Sequence, residues 1–218
     1  MKTPFTIEQF LDIFKNYNQA VFPMQIVFYM VAVFMIYLSI KPTTNSNKII
    51  SGLLAFLWFW MGVVYHLFFF TPINMAAYLF GAMFIFQGIL FLAYGVFQNI
   101  LLFRFNFDLY GIMGSILILF ALIIYPVLGY LFGHVYPSSP TFGLPCPTTI
   151  FTFGLLLFCK NRCPITILLV PFLWSIIGFS AAFNFGIIED SVLLVAGLIT
   201  FVMLVIHNRT LSRNSIAK

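Results

Sequence analysis

Apolar residues in this chain neither alternate nor recur once per helical turn; over most of its length they simply run on. Six stretches, at roughly 20–40, 49–70, 73–97, 110–133, 165–184 and 190–207, meet or nearly meet the length of a membrane span. A helix of about 20 apolar residues crosses a hydrocarbon core of about 30 Å. Polar punctuation separates the stretches: the turn from Lys41 to Lys48, the tight Thr71-Pro72 pair, and a longer connection from Gln98 to Asp108. A seventh stretch is shorter. Apolar residues run from about Ile150 to Cys159 before Lys160 and Arg162 end them, and the twelve positions from Tyr136 to Pro147 carry four prolines and cannot be helical. A helix of about 12 residues is about 18 Å long and does not span unaided. The pattern therefore predicts an all-α membrane protein: a bundle of about seven transmembrane helices, the fifth short and preceded by a re-entrant Pro-rich segment.

The first twenty residues differ. Glu8 and Asp12 interrupt them where a secretory signal would be continuously apolar. Thr6 and Gln9 have capping-box spacing, and Phe10, Ile13, Phe14 and Tyr17 share one helical face. Residues 1–19 read as an amphipathic helix whose apolar face lies on the membrane surface or against the bundle. The expected organisation is 1–19 as that interfacial helix, 20–207 as a seven-helix membrane domain and 208–218 as a basic cytoplasmic tail.

Composition agrees. Hydrophobic residues make up 62% of the 218 positions and charged residues 7%, against about 25% charged in an ordinary soluble domain. So little charge does not cover a water-facing surface, and the partner implied is the lipid bilayer. The net charge of +5 comes from short loops and the C-terminal tail. No basic patch interleaved with aromatics exists to bind nucleic acid. With seven spans and the N-terminus outside, the inner segments carry Lys41, Lys48, Arg104, Lys160, Arg162, Arg209, Arg213 and Lys218, the outer ones only Lys2 and Lys15. That bias places the C-terminus in the cytoplasm.

Candidate chemistry gathers around Pro145-Cys146-Pro147-Thr148-Thr149. A helix starting there, inside the membrane, would aim free N–H groups and the positive end of its dipole into a cavity. Broken helices in transporters present ligands in this way. Cys146 is then a nucleophile or soft-metal ligand; the plainer reading makes it a small buried filler. His66, Asn74 and His134 fall at similar depth, as does Asp190 at the start of the last span. The expected ligand-binding set is Cys146, Thr148, Thr149, His66, Asn74 and His134, for a small-molecule or ion ligand. His66, His134 and Cys146 would suit zinc or copper if they converged. Gln87, Tyr125 and Ser175 read as interhelical hydrogen-bond partners, Trp58-Phe59-Trp60 as bundle packing or a pocket wall, and Cys159 with Cys163 as structural thiols. Gly178, Ala182 and Gly186, like Gly129 and Gly133, recur every four residues as packing positions.

Several classes are excluded. No lysine lies in the last helix for a retinal Schiff base, and there is no Walker loop, His-Glu-x-x-His or Gly-x-Ser-x-Gly. No paired carboxylates are expected within the membrane, Glu189 and Asp190 falling in the outer loop before the last helix, and the spans almost lack ionisable groups, which argues against a proton-coupled pump. Three functions stay open: a small transporter-like or ligand-binding protein with its site in the outer half near Cys146, a membrane enzyme or metal/thiol protein using Cys146 with His66 or His134, and a structural partner in a membrane complex. No cofactor is identified, and the oligomeric state is open.

The order of motifs resembles an uncharacterised bacterial family of multi-pass membrane proteins, a domain of unknown function designated six-zero-six-four. The matching pieces are Pro4 to Phe10, Tyr65-His66, Pro72 to Asn74, Pro140 to Gly143, Pro145 to Gly154, and Trp174 with Gly178 to Ala182. The resemblance implies a multi-pass protein of the bacterial inner membrane and carries no activity.

Overall fold

The computed structural model describes residues 5–216 and is all-helical; among these residues no strand forms beyond two isolated backbone bridges. Lys2, Pro4 and Lys218, used in the sequence reading, lie outside the described residues. Eight helices follow one another: α1 (Ile7–Val21), α2 (Met24–Ile40), α3 (Ser46–Phe70), α4 (Ala77–Phe97), α5 (Leu109–Leu131), α6 (Pro145–Leu156), α7 (Thr166–Phe185) and α8 (Ser191–Ile216). Five of them are long and apolar enough to cross a membrane, and six if α1 and α2, bent by 83° at Phe22-Pro23, count as one broken span. The apolar stretch expected over 20–40 therefore starts its helix only at Met24. The outward faces carry large apolar side chains such as Met30, Phe34, Phe68, Leu79 and Tyr130, a surface suited to lipid.

At α1 the capping box closes as the sequence spacing requires. Thr6 Oγ1 accepts from the Gln9 amide at 3.2 Å, and Gln9 Oε1 accepts from the Thr6 amide at 2.9 Å. Phe10, Ile13, Phe14 and Tyr17 are all buried, and they pack against Tyr65, Phe70 and Phe185 of the bundle. Asn18, on the same helix, holds the Pro-rich loop. Its Nδ2 donates to the carbonyls of Pro137 (2.7 Å) and Ser139 (2.8 Å), while its Oδ1 accepts from Thr141 Oγ1 at 2.8 Å.

The short helix α6 is the centre of the molecule. Every side chain from Pro145 to Cys159 is buried except the half-buried Cys146, and α5, α7 and α8 surround it. Its start is tied to the loop before it, where Thr148 Oγ1 accepts from the Gly143 amide at 3.0 Å. Gly143 has φ 101°, and a Cβ there would sit 2.2 Å from the Phe28 ring, so only glycine fits on both counts. At the other end, residues 157–160 pair with the connection before α5. Arg104 N donates to Phe158 O and Lys160 N to Leu102 O, both at 2.9 Å. Lys160 also pairs with Asp108 at 2.9 Å, the residue that caps α5. Backbone hydrogen-bonding groups past the end of α6 are satisfied in this way.

Three spans contain π-helical turns, at Met61–Phe70, Leu92–Phe97 and Phe120–Ile124. Such turns widen a helix by one residue per turn; His66 lies in the first, and Tyr125 follows the third. The π turns leave no trace in the apolar pattern. Of the three expected interhelical donors, Gln87 reaches Ile167 O at 2.9 Å and Tyr125 reaches Asp190, but Ser175 bonds Phe172 O in its own helix. Gly178 packs against Leu193 as expected, whereas Gly133 and Gly186 face open space with positive φ and serve as turn residues. Helix α8 continues to Ile216, through most of the stretch read as a tail. The described cations Lys41, Lys48, Arg104, Lys160, Arg162, Arg209 and Arg213 all fall toward one end of the bundle; Lys15 on α1 lies toward the other.

Candidate functional site

At the end opposite the cation-rich loops, a cavity of about 180 Å³ opens between α1, α3, α4, α6 and α7. That volume holds a few waters or a small organic molecule. Its walls are rings, and Phe5, Phe10, Phe70, Tyr65, Phe80 and Trp174 all line it. Phe5 and Phe10 stand 5.6 Å apart between centroids, Phe5 and Phe70 also 5.6 Å, and Phe80 and Trp174 5.4 Å. Asn74, Ser180 and Asn184 line it as well, and the last two are solvent-exposed, giving the cavity a polar mouth. Gly178 lines the α7 side; a Cβ there would fall 2.6 Å from Leu193 Cδ2, with the Cys146 thiol at 3.6 Å and Trp174 Nε1 at 3.7 Å.

The floor is polar. Cys146, at the first turn of α6, and Asp190, in the turn between α7 and α8, both line the cavity. The Cys146 thiol adjoins the Asp190 carboxyl, and Tyr125 OH donates to Asp190 Oδ1 from the α5 side. The Trp174 indole N–H is buried against the Cys146 thiol. Burial pushes the Asp190 pKa up to about 7, against the downward pull of hydrogen bonds from Tyr125 and Cys146; the neighbouring Glu189 adds to the rise and His134 opposes it.

Behind Asp190 lies a second carboxylate. Glu189 Oε1 meets His134 Nδ1 at 2.8 Å, the Glu189 side chain is wholly buried, and its Oε2 has no partner. Gly129 leaves room for this, its missing Cβ lying 3.3 Å from Glu189 Oε1. Glu189 and Asp190 looked like an outer loop in sequence, but the turn folds inward and buries both.

Of the residues singled out from sequence, Cys146 and Asn74 line the cavity together. Thr148 and Thr149 face away from it. Thr148 joins Gly143 and accepts Thr152 Oγ1 at its carbonyl (2.8 Å), while Thr149 is buried with its hydroxyl unpartnered. His66 is buried one layer behind the wall, 5.1 Å from Trp174 and 4.6 Å from Phe84 between centroids, and neither ring nitrogen has a partner. His134 is committed to Glu189. The metal reading of His66, His134 and Cys146 is therefore corrected: among the described residues no group of three or more His, Cys, Asp or Glu side chains is arranged to hold a metal ion. Trp58 and Trp60 bond Thr152 and Tyr17 rather than lining the cavity. Sequence reasoning missed Tyr65, Tyr125 and Trp174 as site residues. The one available signal was a polar-edged aromatic within an apolar span, and Tyr and Trp are common there for packing alone.

A family model described as a family of unknown function (DUF6064) matches residues 7–215, nearly the whole chain, and the protein belongs to that family. The resemblance drawn from its motifs is thus borne out. No curated protein and no solved structure matches the chain.

Proposed function

We propose that this member of a family of unknown function is a transporter-like or ligand-binding protein of the bacterial inner membrane that takes a small molecule into the Cys146–Asp190 cavity. In this reading the chain crosses the bilayer seven times, with α6 as the short fifth crossing. The N-terminus lies outside and the C-terminus in the cytoplasm, as the cations gathered at one end favour. The cavity mouth then faces outward.

One observation carries the proposal: a cavity of about 180 Å³ with ring walls, an exposed polar mouth and a buried carboxyl beside a thiol at its floor. Ligand pockets are mostly apolar concavities with a few converging polar groups. Ordinary packing gives no reason to leave such a space, since buried polar groups cost free energy unless something satisfies them. The polar groups also converge at the start of a half-length helix, where transporters place ligand sites.

Cys146 reports on the cavity directly, because it is the cysteine that lines it; Cys159 and Cys163 are buried elsewhere. With those two replaced by alanine, Cys146 of the folded protein is expected to react with a small maleimide. A membrane-impermeant maleimide should reach it from outside intact cells and not from inverted vesicles, and Ser180→Trp at the mouth should slow the reaction by about tenfold. A Cys146 that reacts only after denaturation, or whose rate ignores Ser180→Trp, would overturn the proposal. Reaction from the cytoplasmic side alone would overturn the orientation.

A further inference from the structure

The chemistry of the cavity wall and floor narrows the occupant. We infer that it is a small organic cation, an ammonium group carried on a compact apolar body; this rests on the cavity being a ligand site.

The walls supply aromatic rings from four elements. Phe5 and Phe10 come from the N-terminal segment, Tyr65 and Phe70 from α3, and Phe80 and Trp174 from α4 and α7. Ring faces attract cations within about 6 Å and repel anions, more strongly where water is excluded. Among the described residues lining the cavity, Asp190 carries the one carboxyl, and no lysine or arginine is present. The Glu189 carboxyl behind it deepens the negative field, with His134 offsetting part of it. The lysines and arginines of the loops lie toward the opposite end of the bundle.

Other occupants fit less well. An anion would face two carboxyls and the negative faces of the rings. A neutral apolar molecule would use the walls and leave Asp190 and its Tyr125 and Cys146 neighbours idle at the floor. A bare metal ion lacks ligands, since one carboxyl and one thiol do not complete a coordination shell. An organic cation uses both features, because its charge meets Asp190 while its methyl or methylene groups lie on the rings.

Binding is then linked to a proton. The groups facing Asp190 are Tyr125 from α5, Cys146 from α6, Tyr65 from α3, and Glu189 with His134 beyond. A cation entering beside Asp190 favours its ionised form, so the carboxyl O–H gives up its proton to solvent as the cation arrives. Affinity rises with pH until Asp190 is ionised without help, and then levels off.

The test uses choline and its neutral isostere, in which a quaternary carbon replaces the nitrogen, measured by calorimetry and by protection of Cys146 from maleimide. Choline is expected to bind at least about tenfold more tightly than the isostere, and to gain affinity between about pH 6 and about pH 8. Asp190→Asn, which keeps an oxygen to accept from Tyr125, should bring the two probes within about twofold and remove the pH dependence. Trp174→Leu should weaken choline more than the isostere. Equal binding of the two probes, or wild-type choline affinity flat with pH, would overturn the inference. If Cys146 reacts readily but choline neither binds nor protects it, the cation assignment falls and the ligand site stands. If Cys146 does not react in the folded protein, the site itself falls.

Discussion

Asn18 offers a sharp test of how the N-terminal helix holds the site. The perturbation is Asn18→Ala. The side chain is fully buried, and it serves Pro137 O, Ser139 O and Thr141 Oγ1 at 2.7, 2.8 and 2.8 Å. A longer contact of 3.3 Å runs to Gln25 Nε2, but that group keeps the Asn18 carbonyl at 2.9 Å and is not stranded. Truncation therefore removes three good hydrogen bonds. Pro137 and Ser139 are half-buried, so their carbonyls recover some water and the full orphan penalty does not apply. At about 1 kcal/mol net for each bond, the loss comes to about 3 kcal/mol. For a chain of this size that lowers the unfolding temperature by about 6–12 °C.

The assay is thermal unfolding of the detergent-solubilised protein, with Asn18→Asp as the control. Aspartate preserves the shape and the acceptor for Thr141 but aims a carboxylate oxygen at two carbonyl oxygens. It should therefore be at least as damaging as alanine at neutral pH. Pro140 and Leu144, on the tethered loop, line the cavity, so both variants should also speed maleimide reaction at Cys146. The reasoning is refuted if alanine costs less than about 1 kcal/mol, or if aspartate is tolerated better than alanine, because the site would then be reading volume rather than donors.

Two further predictions concern packing and charge. A Cβ on Gly154 would fall 2.7 Å from Gly114 O and 2.6 Å from Ile118 Cγ1, so Gly154→Ala should force α5 and α6 apart and cost about 2 kcal/mol or more in the same unfolding assay. Gly114→Ala strains the same contact from the other side, so the double variant should cost clearly less than the sum of the two. His134→Ala should cost about 3 kcal/mol by leaving the Glu189 carboxylate buried without a partner. Adding Glu189→Gln should return part of that loss. If instead the His134→Ala and Glu189→Gln costs simply add, the pair is not coupled as described.

What could be read from the sequence follows from where the physics is local. Apolar run length marks a helix suited to lipid, so α3, α4, α5 and α7 were legible nearly to their ends and α8 as far as its apolar part, beyond which it runs on to Ile216. The shortness of α6 was legible because prolines and cations bound it on both sides. The capping box and apolar face of α1 depend on neighbours three and four residues away, and both appear as the spacing requires. The break before Met24 was not legible, because Pro23 in an apolar run looks like a tolerated helix proline. The site was legible only at one anchor. Cys146 stood out because Pro145 and Pro147 forced a helix start around it, but its partners come from Tyr65, Tyr125, Trp174 and Asp190, whose sequence neighbourhoods give no sign of convergence. Asp190 and Glu189 were misplaced for a specific reason. Charge in a short interhelical turn is normally solvated, and here the turn packs against the end of α5 and the residues after it, where Tyr125 meets Asp190 and His134 meets Glu189. The amphipathic helix, whose apolar face was expected on the membrane surface or against the bundle, lies against the bundle and forms a wall of the cavity. Its apolar face contributes the rings, and its Asn18 holds the loop that leads to Cys146.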